Sequence, residues 1–447
     1  MPLYSLKDYL PYYRRNLRVA MPVVLTQLGA ALVGLADSVM VGHYGTTDLA
    51  AVSFANGIFF TFMVFAMGSL MGITPLVGHA FVRGEDERVA SLLQNGLLFT
   101  VILSAVTTAV LAVFIPLMPY MGQDPAVVEV AIPYFATRVT GLLPFFLFSL
   151  QKQFLEGLGN TTVAMVITII VNLLNIGLNY IFIFGKCGIP AMGAYGAGLA
   201  SLVAMAVMPV VFFVVIMSRN EWRKYVVLFS AERNSRSVLR ELSKVGFPIG
   251  LQTTMETVLF TLSFIMVGWI SKEALAAHHI ANNVADLAFM LSLGVGSATT
   301  IRVSHQYGKG DFHAMRMASR ASIHLILLMN TTGAGIMIGL CRYLPYLFTE
   351  DPEVIRIATP LLVYAGIFQY SDGLQCVGAG MLRGITDVQR PMVYAFIAYV
   401  VVALPLGYLL MFPLGLGVEG MWISFIVALF LAAALFHYRY WSRVKRW

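Results

Sequence analysis

Four carboxylates stand inside otherwise apolar sequence: Asp37, Glu256, Asp286 and Asp372. An ionised acid at bilayer depth costs at least ~2.5–3.5 kcal/mol on insertion scales. Such a group must hold a proton, pair with a fixed cation, or face a cavity that a mobile cation can reach. No Lys or Arg is expected at the depth of Asp37, Glu256 or Asp372, so their partners should be protons, metal cations or a cationic substrate. That is reversible ion uptake, with no covalent bond made or broken. Any one of these acids taken alone could simply bridge helices. Several of them in a chain with few intramembrane bases favour ion handling.

Amides gather near the acids. Asn175 and Asn179 are spaced i, i+4 and share a helix face. Gln252 precedes Glu256 by one turn, Gln369 and Gln375 flank Asp372, Asn282 and Asn283 precede Asp286, and Gln27 shares a span with Asp37. In lipid, Asn and Gln often only tie helices together. Beside unneutralised acids, Asp286, Asn283, Gln252, Gln369 and Gln27 become candidates for lining a substrate cleft. The adjacent pair His278-His279 lacks the i, i+4 spacing of a helical metal motif, and the three Cys show no CxxC spacing. No cofactor, resident metal or enzymatic centre is expected.

The elements that position these groups are read from length and hydropathy. The chain is 59% hydrophobic and 11% charged, against roughly 25% charged in soluble domains. Its mean hydropathy of +0.79 places it among integral membrane proteins. Twelve apolar runs are long enough to cross a bilayer as helices: 19–42, 54–78, 92–117, 131–156, 163–185, 194–217, 246–270, 279–304, 318–341, 358–382, 392–412 and 419–440. They are too long and too continuously apolar for barrel strands. Pro22 and Pro248 are expected to open the first and seventh helices, where proline costs little.

With the amino terminus in the cytoplasm, 24 of the 29 Lys and Arg residues fall on the inward side. Arg383 is counted there, and Arg138 is among the five outside. This bias predicts a multi-pass protein with both termini cytoplasmic. Basic residues so placed also argue against nucleic-acid binding. The polar start, Met1 to Arg18, precedes a run long enough to span, so no cleavable signal peptide is read there.

A shift of 226 residues aligns the first part of the chain with the second. Val41-Gly42 falls on Val267-Gly268, Gly68 on Gly294, and His79 on His305. With one residue inserted, Asp124-Pro125 meets Asp351-Pro352 and Leu155-Glu156-Gly157 meets Leu382-Arg383-Gly384. A whole domain is duplicated, as in many transporters. The expected organisation is a lobe over 1–217, a basic linker over 218–244, partly helical at the lipid headgroups, and a lobe over 245–447. Six spans per lobe give both copies the same orientation, and the cleft between them is the natural substrate path. Asp37, Glu256 and Asp372 correspond to Ser263, Ala30 and Phe145, so the scaffold repeats and the charge does not.

The stretches Ala36-Asp37-Ser38-Val39-Met40-Val41-Gly42, Asn175 to Gly185 (NIGLNYIFIFG), Ala276-Ala277-His278-His279-Ile280-Ala281 and Leu382-Arg383-Gly384 resemble the multidrug and toxic compound extrusion (MATE) family, NorM-type branch. The resemblance covers essentially the whole chain. It implies a V-shaped pair of bundles in a bacterial inner membrane, with cationic or amphipathic compounds leaving as Na⁺ or H⁺ enters. It implies a cation site at Glu256 and Asp372 and a first-helix coupling acid at Asp37. It also implies a first-lobe site at Asn175, Asn179 and Ser201. The second of the fifth-helix positions is commonly Asp and is the amide Asn179 here, which lowers the local negative charge. The role of Asp286 comes from its placement and not from the resemblance. A monomer is expected. The alternatives weighed are a lipid-linked oligosaccharide flippase, a membrane-embedded enzyme and a channel. Scarce intramembrane bases and the missing catalytic motifs disfavour the first two, and asymmetric buried charge on duplicated lobes disfavours the third.

Overall fold

The computed structural model describes Leu6–Ser230 and Arg233–Arg446, and among these residues every regular element is a helix. In hydrocarbon a backbone must satisfy its own hydrogen bonds, and the helix does so within one segment. The elements are α1 (Leu6–Tyr44), α2 (Thr46–Leu70), α3 (Ile73–Val82), α4 (Asp86–Leu117), α5 (Pro125–Thr140), α6 (Leu142–Gly157), α7 (Thr162–Phe184) and α8 (Gly193–Ser218). After the short α9 (Asn220–Val227) come α10 (Arg236–Gly268), α11 (Lys272–Lys309), α12 (Phe312–Gly339), α13 (Pro352–Gly384), α14 (Gln389–Ala395), α15 (Leu404–Met411) and α16 (Gly417–Val444).

Eleven of the described helical stretches can cross a membrane by length and composition, or twelve when α5 and α6 count as one span bent by 41° at Gly141. The twelve follow the order of the twelve apolar runs. Most of the observed helices are longer than those runs because their polar flanks are helical too. The eleventh span departs from α-helical geometry in its middle, where Phe396–Ala403 is π-helical between α14 and α15.

The chain forms two compact units, Leu25–Gly250 and Met1–Val24 with Leu251–Trp447. They exchange helix starts, so the division does not run in simple chain order. Pro22 and Pro248 do not open their helices. They lie inside α1 and α10, and each unit boundary falls two residues beyond a proline. Proline removes one intrahelical bond, so each helix passes from one unit to the other where its own ladder is weakest.

Close packing explains the exchange. A Cβ on Gly250 would sit 2.6 Å from the Phe65 carbonyl oxygen, and one on Gly246 would strike the Ser69 carbonyl, so the start of α10 lies almost backbone to backbone on α2. In the other unit Ala20 joins the core with Val295 and Phe425, and Gly294 of α11 is pressed against Val24 of α1. In the Leu25–Gly250 unit α7 packs on α8, α5 on α2 and α8, and α6 on α3, α4 and α8. In the second unit α13 is central, packed against α11, α12 and α16.

Candidate functional site

The second unit gathers the acids of three helices. Asp372 on α13 is 1% exposed and interacts electrostatically with Glu256 on α10 and Asp286 on α11. Glu256 is half-buried and Asp286 exposed. Gln375 lies one turn beyond Asp372; it hydrogen-bonds Glu256, and its Nε2 donates to the Tyr399 hydroxyl at 2.7 Å. The Asp372 Oδ2 and Glu256 Oε1 atoms are buried and accept no hydrogen bond among the described residues. No ion pair neutralises either acid there. Among the described residues no three His, Cys, Asp or Glu side chains converge to hold a metal ion. The arrangement therefore offers isolated carboxylate oxygens with amide neighbours, suited to one proton or to a cation that also takes neutral oxygen ligands.

Neighbouring helices fix the acids. Gln369 Nε2 donates to the Ala285 carbonyl at 3.2 Å, tying α13 to α11 beside Asp286. Asn330 on α12 donates to the Gln369 carbonyl at 2.5 Å and lies where any side chain on Gly373 would be. Gln369 and Gln252 are buried, 0% and 2% exposed, and each keeps one polar atom without a hydrogen-bond partner among the described residues. Asn283 is exposed and meets His279 Nδ1 at 3.2 Å.

The first unit holds a smaller chain of polar groups. Asn179 Nδ2 donates to Asp37 Oδ1 and also to Asn175 Oδ1, the latter at 3.2 Å. Thus α7 contributes an i, i+4 amide pair to an acid of α1. Both amides are buried and Asp37 is half-buried. Ser201 is buried on α8, which packs on α7, but among the described residues no hydrogen bond links it to this chain. Gln27 is half-buried on α1, and among the described residues no hydrogen bond joins it to Asp37.

Two basic residues correct the expectation that no Lys or Arg lies near the acids. Arg138 interacts electrostatically with Asp37 and with Tyr134, and its guanidinium lies 4.7 Å from the centre of the Phe59 ring. Tyr134 in turn donates to Asn56 Oδ1 at 3.1 Å. Arg383 is not a loop residue: it belongs to the last turn of α13, is half-buried, and interacts with Glu256, Cys376 and Tyr399. Neither arginine forms an ion pair with these acids among the described residues. Both signals were present in the sequence. Arg138 fell inside the 131–156 run, and Arg383 stands at the repeat position of Glu156. Tyr399 and Asn330 had no local signal, since an aromatic or an amide in an apolar helix is common. The adjacent histidines do not form a metal pair: His278 is buried against Ser263 Oγ at 3.1 Å, and His279 is exposed.

The MatE family model matches residues 22–181 and again 248–409, one copy for each half of the duplication. The chain belongs to the MATE family. This MATE protein is 32% identical to the probable multidrug resistance protein NorM of Rhizobium meliloti, over 97% of the chain and 94% of that relative. It is 34% identical to the multidrug resistance protein NorM of Photobacterium profundum, over 95% of the chain and 94% of that relative. Its fold matches the crystal structure of the eukaryotic MATE transporter AtDTX14 with a TM-score of 0.86 at 18% identity, covering 98% of both chains. It also matches an outward-facing multidrug resistance MATE family transporter with a TM-score of 0.87 at 21% identity, covering 97% and 96%.

Proposed function

We propose that this MATE protein is a secondary active multidrug efflux antiporter that exports cationic or amphipathic compounds in exchange for Na⁺ or H⁺. The observation that carries the reading is the pair of buried carboxylate oxygens, on Glu256 and Asp372, that have no hydrogen-bond partner among the described residues. The names of the NorM relatives support the multidrug part. The same reading makes it a multi-pass, monomeric protein of a bacterial inner membrane with both termini cytoplasmic, in accord with the distribution of Lys and Arg.

In this cycle Glu256 and Asp372 take up the incoming cation and are neutralised. Like charges close together in a low dielectric repel, so the apo and loaded forms favour different arrangements of α10 and α13. Coupling follows if the cation and the drug prefer different conformations. Asp37 with Asn175, Asn179 and Ser201 forms a second, weaker cation site. Asp286, Asn283, Gln252, Gln369 and Gln27 contribute polar groups to drug binding. The membrane potential adds about 2.3 kcal/mol per inward charge per 100 mV.

Reconstitution into vesicles tests the reading. Dye efflux should follow an imposed Na⁺ gradient or an imposed pH gradient, and the one that works names the coupling ion. A folded protein that moves dye under neither gradient would remove the antiport assignment.

A further inference from the structure

A second charged cluster lies apart from these sites, in the unit formed by Met1–Val24 and Leu251–Trp447. Arg302, near the C-terminal end of α11, lies within electrostatic reach of Arg15 and Tyr12 on α1. Its Nε and Nη2 atoms are buried and reach no acceptor among the described residues. Arg15 is exposed and Tyr12 half-buried. No ion pair joins either arginine to a carboxylate among the described residues. The surrounding backbone is held in place. Asn16, next to Arg15, donates to the Ala318 carbonyl at 3.0 Å and to Ser322 Oγ at 2.9 Å, and Tyr13 meets His324 Nδ1 at 2.8 Å. Asp311, which follows α11 in the chain, caps α12 through the Ala314 amide at 2.9 Å.

The duplication supplies the control. The repeat positions of Arg302 and Arg15 are Leu76 and Glu241. Glu241 is paired with Arg88, and the same region holds Lys224 on Asp86 at 2.6 Å and Arg233 on Glu87 at 3.7 Å. The first unit neutralises this end internally. The second sets Arg302 within electrostatic reach of Arg15, and among the described residues neither is paired with a carboxylate. Like charges at short range repel, and buried N–H groups without acceptors carry their desolvation cost uncompensated. An oxyanion relieves both. Guanidinium forks match phosphate oxygens in pairs, and a phenolic O–H supplies a further donor.

We propose that Arg302, Arg15 and Tyr12 form a phosphate-binding site at the end of this unit that the Lys and Arg distribution predicts to face the cytoplasm. The group bound is a phosphate, carried by an anionic phospholipid or free in solution. The test uses the full-length chain purified in detergent, with its unfolding midpoint followed in two titrations. One adds sodium phosphate against sodium chloride at equal ionic strength. The other adds phosphatidylglycerol against phosphatidylcholine in mixed micelles. A shift with phosphate itself identifies a free-anion site, and a shift with phosphatidylglycerol only identifies a headgroup site. In either case Arg302→Gln and Arg15→Gln should raise the half-saturating concentration at least about tenfold. Lys309→Gln, an equal loss of charge at an exposed position on the same helix, should leave it unchanged. Arg15 is exposed, so its variant tests the site even if Arg302→Gln folds poorly. A wild-type protein indifferent to both probes, or a Lys309 variant weakened as much as the arginine variants, would overturn the proposal.

Discussion

In one unit Thr74 Oγ1 donates to the Gln153 carbonyl at 3.0 Å, and in the other Thr300 Oγ1 donates to the Gly380 carbonyl at 3.2 Å. A Cβ on Gly157 would lie 2.9 Å from Val77 Cβ, and one on Gly384 would lie 2.7 Å from Val303 Cβ. Asp124 caps α5 through the Ala126 amide, and Asp351 caps α13 through the Glu353 amide. All of these are repeat-related pairs. The polar sites are not. Asp37 is tied into a hydrogen-bonded chain with Asn179 and Asn175, whereas Glu256 and Asp372 each keep a buried oxygen without a hydrogen-bond partner among the described residues. Packing contacts have been retained in duplicate because each half must bury the same faces. Charge has been free to diverge, because a carboxylate in hydrocarbon is costly and persists only where something mobile relieves it.

The comparison can be broken most directly at the acids. Glu256→Gln or Asp372→Asn should lower ion-driven dye efflux in vesicles at least about tenfold, which is ~1.4 kcal/mol of barrier. Asp37→Asn should lower it less, since among the described residues no buried oxygen of Asp37 lacks a hydrogen-bond partner, as one does on Glu256 and on Asp372. Equal losses in all three variants would mean that the two units share the coupling task.

Next in size are the glycines. Gly157→Ala and Gly384→Ala should each cost about 1–3 kcal/mol of stability by overpacking, read from unfolding in detergent. Similar costs would sharpen the claim of duplicated packing, and one tolerant glycine would weaken it. The caps come after: Asp124→Ala and Asp351→Ala should each cost about 1 kcal/mol, again as a matched pair.

The smallest effect concerns a pair found in one unit only. The hydrogen bond to Asp86 holds the Lys224 ammonium above lysine's ordinary range. Its stabilisation is therefore present below the unfolded lysine value, ~10.4, and is lost as pH rises through the folded one. Asp86→Asn should cost about 0.2–1 kcal/mol at neutral pH, as expected of a solvent-screened pair. The gap from wild type should close above the lysine range.

Much of the architecture was legible because lipid enforces it. The twelve spans follow from run lengths, and the duplication from residues such as Gly157 and Gly384, whose contacts recur in three dimensions. The helix starts were not legible. Pro22 and Pro248 looked like first-turn residues because the apolar signal begins beside them, yet α1 and α10 start far upstream, at Leu6 and Arg236, in polar stretches of sequence. Asp37, Glu256 and Asp372 announced themselves by their cost. The reach of Arg138 to Asp37 and of Arg383 to Glu256 was not legible, because hydropathy records where a residue lies along a span while a long guanidinium side chain can extend back into the protein.

By itself the sequence determined the class, the helix count and the residues that ion chemistry must involve, because hydrophobic length and charge cost are properties of the chain alone. The tertiary structure decided which groups meet. It set Asp372 with Glu256 and Asp286, gave Asp37 its amides, and brought Arg302 within electrostatic reach of Arg15. It also exchanged the first segments of α1 and α10 between the units. Those outcomes depend on which helix faces press together, and side-chain packing across helices far apart in sequence leaves no mark on any single run of residues.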